Sequence, residues 1–149
     1  MVKLSDYIST DIISDIASDT KSGVLSEMVA LIAKSGQISD IAEYEKAIQN
    51  RENILSTGIG LGVAVPHAKT ANVKDFAVAL GRSQSGIEYD SIDGKPVKLV
   101  FMIAGPEAEQ KVYLKILAKI SLIARNEDLK NQIIEAADKE AIYDIVKEF

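Results

Sequence analysis

Residues 97–103, Val-Lys-Leu-Val-Phe-Met-Ile, form an apolar run interrupted only by Lys98. Such a run reads as a central strand buried on both faces, and that burial needs helices on either side of its sheet. The rest of the chain supplies them. Residues 20–35 read as an amphipathic helix with Val24, Met28, Leu31 and Ile32 inward, and Gly36 stands where such a helix stops. A second helix is expected over 40–53, opened by Asp40 with Glu43 three residues on, and facing inward through Ile41, Tyr44 and Ile48. Tyr113, Ile116, Leu117, Ile120 and Ala124 repeat at the helical period over 109–125. Asn126 and Asp138 are placed to cap two more helices, one over 127–137 and one facing inward through Ile142, Ile145, Val146 and Phe149. Further strands are expected over 11–18, 61–65 and 76–80, punctuated by Gly81, Gly86, Gly94 and Pro96. The order β-α-α-β-β-β-α-α-α predicts an α/β fold: a mixed β-sheet flanked by helices in a single layered domain over 1–149.

Charge narrows the function. The net charge of -5 lacks the basic face that phosphate contacts require, so no nucleic-acid partner is expected. With no cysteine, disulfide frameworks and thiolate metal sites are excluded. The opening residues Met1-Val2-Lys3-Leu4-Ser5-Asp6 do not read as a signal peptide. No apolar run approaches the roughly 18 residues of a membrane span, so a cytoplasmic chain without direct membrane insertion is expected.

The chemistry concentrates on one side chain. His67 is the only histidine, and it closes the run Thr57-Gly58-Ile59-Gly60-Leu61-Gly62-Val63-Ala64-Val65-Pro66-His67. The glycines do not make a nucleotide loop. Walker A needs a terminal Gly-Lys-Ser/Thr, and Val63 stands where the dinucleotide fingerprint needs its third glycine. They do allow close backbone approach to an anion, with amides of Gly58 and Gly60 as candidate donors. One histidine without cysteine is a poor metal site, and neither a metal nor a cofactor is expected. Two readings of His67 stand: an ordinary surface or partly buried histidine, and a neutral imidazole nucleophile for phosphoryl transfer. Arg51 is either a solvated helix-end charge or a planar guanidinium that offsets phosphate charge. Thr57 is either a turn stabiliser or a hydroxyl donor. Leu61, Val63 and Val65 are either core residues or part of a docking surface.

Arg51-Glu52, Thr57-Gly58-Ile59-Gly60 and Val63-Ala64-Val65-Pro66-His67-Ala68-Lys69-Thr70 together resemble the active-site block of the fructose/mannitol-type enzyme IIA domains. These belong to the bacterial phosphoenolpyruvate-dependent sugar phosphotransferase system. The resemblance continues through 90–106 and through Leu114-Lys115-Ile116-Leu117-Ala118-Lys119-Ile120-Ser121, so it covers essentially the whole chain. It implies a phosphotransferase in which His67 accepts a phosphoryl group from phospho-HPr and passes it to enzyme IIB. Arg51 would then stabilise the phosphate, with Thr57, Gly58, Gly60 and Tyr113 in support. The alternative it implies is a nitrogen-type regulatory IIA protein that signals its phosphorylation state by binding partner proteins. One position departs: many members carry a second histidine where this chain has Tyr113. Tyrosine supplies a hydrogen-bond donor there but no positive charge, and it is equally readable as a core aromatic.

Overall fold

The structure, a computed structural model, describes residues 2–149. Its centre is β6 (Val97–Pro106), which pairs antiparallel with β5 (Ala77–Ile87) on one side. On the other side run β3 (Val63–Ala64) and β4 (His67–Thr70), both parallel to β6. Their register is unbroken: Val63 faces Leu99, Ala64 faces Val100 and His67 faces Ile103. They are one strand interrupted at Pro66, which has no N–H to give to a ladder. The Pro66 carbonyl still accepts from Ile103 N–H at 3.0 Å. The edges are β2 (Gly58–Gly60), antiparallel to β3, and β1 (Ile13–Asp15), parallel to β5. The sheet is therefore mixed, as the element order predicts.

Successive residues of a strand point to opposite faces. Gly81 of β5 meets Met28 of α1 (Lys21–Ile32), and its neighbour Arg82 reaches α4 (Glu127–Glu135). Helices α1 and α4 therefore cover opposite faces. Helix α2 (Ile41–Ile54) packs on α1, whereas α3 (Gln110–Ala124) and α5 (Lys139–Val146) pack on α4. The caps form as the sequence predicts. Asp40, Asn126 and Asp138 accept from the N–H groups of Glu43, Leu129 and Ala141, and Gly36 takes the left-handed conformation at φ 75°.

Several expectations are corrected. Residues 10–12 form a 3₁₀ turn, so the strand expected over 11–18 shrinks to β1. Leu61 and Gly62 lie in the β2–β3 turn at φ 61° and 78°, so no strand covers them. The strand expected over 76–80 runs on to Ile87, and short strands β2 and β4 were not expected. Ile41 is exposed, because the inner stripe of α2 is Tyr44, Ile48 and Glu52, spaced four apart. Tyr44 sends its hydroxyl to the Ile103 carbonyl at 2.9 Å, which satisfies a phenol buried against the central strand. At the chain's two ends, Leu4 N–H donates to the Phe149 carbonyl.

Arg82 is the one buried arginine of the sheet, and its partners explain why it is tolerated. Nη1 donates to the carbonyls of Ile133, Ile134 and Ala136 at the end of α4, and Nε donates to Asp15 at 2.7 Å. Asp15 is largely exposed. Replacing Arg82 with alanine strips the Ala136 carbonyl of its donor, leaves Ile133 and Ile134 with one each from Ala136 N–H and Gln84, and should cost about 2 kcal/mol. Replacing Asp15 with alanine removes a mostly solvated partner and should cost under about 1 kcal/mol. Urea unfolding of the two variants measures both; comparable losses would place the weight on the ion pair rather than on the helix end.

Candidate functional site

His67 is the first residue of β4, directly after the proline interruption, and its side chain is partly buried. Its Nδ1 lies 2.8 Å from the Val65 carbonyl oxygen. A carbonyl only accepts, so Nδ1 carries the proton and Nε2 keeps a bare lone pair. Burial lowers the imidazole pKa below its ordinary value, and the charges of Arg51 and Lys69 push the same way. The Val65 hydrogen bond and the Glu52 charge oppose this without reversing it. The ring is therefore neutral at pH 7, with Nε2 as its nucleophilic atom.

His67 lines a cleft of about 340 Å³ together with Arg51, Thr57, Ile92, Tyr113 and Leu117. Arg51 enters it from the last turn of α2. Its Nη1 donates to the Leu55 carbonyl at 2.7 Å, and among the described residues it pairs with no carboxylate. The guanidinium keeps most of its donors for an anion that enters the cleft. Tyr113, on α3, is buried, and its ring sits 5.4 Å from the imidazole at a 44° tilt. Lys69 Nζ stands 4.8 Å from the same ring's centre and donates to Gln110 Oε1. Burial raises the Tyr113 pKa, so the phenol stays neutral. Where many family members are expected to place a second histidine, a tyrosine packs against the first and a lysine lies over that tyrosine.

The supporting donors differ from expectation. Thr57 does not offer its hydroxyl proton to the cleft. Its Oγ1 donates to Glu52 Oε2 at 2.6 Å and its N–H to Glu52 Oε1 at 2.9 Å. With that proton committed, the Tyr89 hydroxyl 3.1 Å away must be the donor to Thr57 Oγ1. Gly58 N–H is likewise engaged, with Ser56 Oγ at 3.1 Å. Gly58 lacks a side chain for a steric reason, since a Cβ there would lie 2.5 Å from Ser91 Oγ. Gly60, Leu61 and Gly62 all have positive φ and make the tight β2–β3 turn. Leu61 is held in that conformation by Asp93, which accepts from its N–H, and by the buried Lys130 amine, which donates to its carbonyl at 2.7 Å. The glycine run thus builds a turn, and the Gly58 and Leu61 amides within it are already spent. Val63 and Val65 are core residues and leave only exposed Leu61 as surface.

Sequence reasoning did not single out Glu52, Lys21, Tyr89 or Lys69. For Glu52 a signal existed: it continues the Tyr44–Ile48 stripe, and a carboxylate on the buried face of a helix demands partners. For Lys69 the signal was the alternation of the strand, which puts it on the same side as His67.

The chain matches the family described as "Phosphoenolpyruvate-dependent sugar phosphotransferase system, EIIA 2" over residues 8–149. It is 41% identical over 148 residues to the "PTS system fructose-specific EIIABC component" of Bacillus subtilis, covering 99% of this chain and 23% of that protein. It is 36% identical to the "PTS system fructose-specific EIIA component" of Haloferax volcanii, across 87% of this chain and 84% of that one. Among solved structures, the nitrogen regulatory protein IIA-Ntr of Neisseria meningitidis superposes with a TM-score of 0.88 at 26% identity, covering 96% of this chain and 98% of that one. A mixed sheet with a cleft around the single imidazole, and a match over nearly the whole chain, lead to one assignment: this chain belongs to the EIIA 2 family of the phosphoenolpyruvate-dependent sugar phosphotransferase system.

Proposed function

We propose that His67 is the phosphoryl carrier of a sugar phosphotransferase relay, loaded by phospho-HPr and unloaded by enzyme IIB in the cytoplasm. One IIA unit over 1–149 does this work. The observation that carries the reading is the Val65–His67 hydrogen bond, which leaves Nε2 unprotonated in a cleft shared with Arg51. In the transfer step the Nε2 lone pair attacks phosphorus in line with the donor nitrogen. The new N–P bond forms as the donor's N–P bond breaks, and that electron pair returns to the donor ring. The proton on Nδ1 stays where it is, and the Val65 carbonyl stabilises the positive charge that develops on the ring. Arg51 offsets charge on the phosphoryl oxygens, the main task in this chemistry.

Exposed apolar side chains support a protein as the exchanging partner. Leu55, Ile59 and Ile92 line the cleft and Ile54 stands beside it, all exposed. Such encounters are small and transient. The "EIIABC" name of the Bacillus relative supports enzyme IIB as the acceptor, because it joins A, B and C components in one protein. The likeness to the Neisseria nitrogen regulatory protein supports a second reading, a regulator that signals its phosphorylation state by binding partners. Phosphorylation adds about 1.5 to 2 negative charges beside these apolar side chains, enough to alter what docks there. Passage of label from the phosphorylated chain to a purified fructose-type IIB separates the two; no passage favours the regulator.

Incubation with labelled phosphoenolpyruvate, enzyme I and HPr should give acid-labile phosphate on the chain, and none on His67→Ala. Arg51→Ala should slow loading about 100-fold, with Arg51→Lys intermediate because an ammonium lacks the planar fork. The His67 pKa is lowered, so the nucleophilic form persists as pH falls through the ordinary histidine value. Loading should hold at high pH and fall with a midpoint below about 6.5. A decline centred above 6.5 in a stopped-flow pH series would contradict the buried neutral ring.

A further inference from the structure

Glu52 is a carboxylate only 7% exposed, in a protein that could have placed it in solvent one helical step away. It is satisfied by three donors. Thr57 N–H and Thr57 Oγ1 bond it at 2.9 and 2.6 Å, and Lys21 Nζ, from the start of α1, lies at 2.8 Å. Lys21 also stands 4.9 Å over the Tyr89 ring, whose hydroxyl closes the group through Thr57. Burial raises the Tyr89 pKa, so that phenol remains a donor.

What this group holds is the segment 55–57, and both halves of the site hang from that segment. The Thr57 carbonyl accepts from Val65 N–H at 2.9 Å, and the Val65 carbonyl then takes the His67 Nδ1 proton. Two residues before Thr57, the Leu55 carbonyl takes Arg51 Nη1. Arg51 and Glu52 are adjacent on α2, so one step around the helix sends the guanidinium to the cleft and the carboxylate to the core.

We propose that Glu52 is the positioning residue of this site: through Thr57 it fixes the tautomer of His67 and the anchor of Arg51. The proposal rests on His67 being the phosphoryl acceptor, yet its central consequence concerns the resting imidazole. Because the chain has a single histidine, ¹⁵N-histidine labelling gives one ring to observe. In the unphosphorylated wild type above its titration, Nδ1 is protonated and Nε2 is bare. In Glu52→Gln and in Thr57→Val, the Nε2–H tautomer should reach at least about half the population. Loading by phospho-HPr should fall about tenfold or more, as small misplacements at a reacting centre do. Thr57→Ser keeps both bonds to Glu52 and should retain the wild-type tautomer and rate.

Amide-proton dispersion in a separate one-dimensional proton spectrum establishes that each variant is folded, and the Thr57 pair carries the test if Glu52→Gln does not fold. A group that only stabilised the fold would lower Tm and leave the tautomer alone. Folded variants with an unchanged Nδ1–H tautomer and rates within about twofold overturn the proposal. A wild type that takes no phosphate would defeat the carrier reading while leaving the tautomer comparison decisive for Glu52.

Discussion

The parallel pairing of 63–70 with β6 is the constraint on which the rest of the molecule depends. It holds a single register across Pro66, so the proline interrupts the strand without letting it slip. A slip of one residue would exchange faces and send His67 away from α3. The register also sets the Val65 carbonyl two residues before the imidazole, where a local hydrogen bond selects the tautomer. Backbone geometry that serves the core thus also determines which ring nitrogen keeps a bare lone pair.

The site is assembled from pieces that converge at one end of the sheet. Arg51 arrives from the C-terminal turn of α2, His67 from β4 and Tyr113 from α3. The charged groups buried behind them are paired, which is what a low-dielectric interior requires. Glu52 has Lys21 and Thr57, and Lys130 has Glu127 and the Leu61 carbonyl. The cost of burying these charges is offset locally, and segments 55–57 and 60–62 are held from behind while their outer surfaces stay open.

Much of this was legible in the sequence, for reasons that differ by element. The central strand is legible because burial on both faces leaves a continuous apolar run, and the helix starts because Asp40, Asn126 and Asp138 act locally on amides three residues ahead. The block around His67 is legible as a family signature because its residue types and spacing recur together, and the family match bears that out. The short strands were not, because two to four residues carry too little periodicity and exist only through their neighbours. The engagement of Thr57 was not legible either. A threonine after a helix looks the same whether its hydroxyl faces a ligand or a buried carboxylate, and only the inward position of Glu52 decides it. The glycine run suggested an anion cradle, yet its positive φ angles serve a turn.

Arg82 carries a consequence for how the chain assembles. The last turn of α4 obtains its carbonyl partners from a strand some fifty residues earlier, and Gln84 adds a second donor to Ile134 from the same strand. Helix α4 is therefore not self-sufficient: a nine-residue segment is too short to persist alone, and the carbonyls of Ile134 and Ala136 take their donors from β5. Its end is stabilised by contacts distant in sequence rather than by its own turn. Because Lys130 sits on that same helix and grips Leu61, the shape of the β2–β3 turn is tied to the placement of α4 and, through Arg82, to β5.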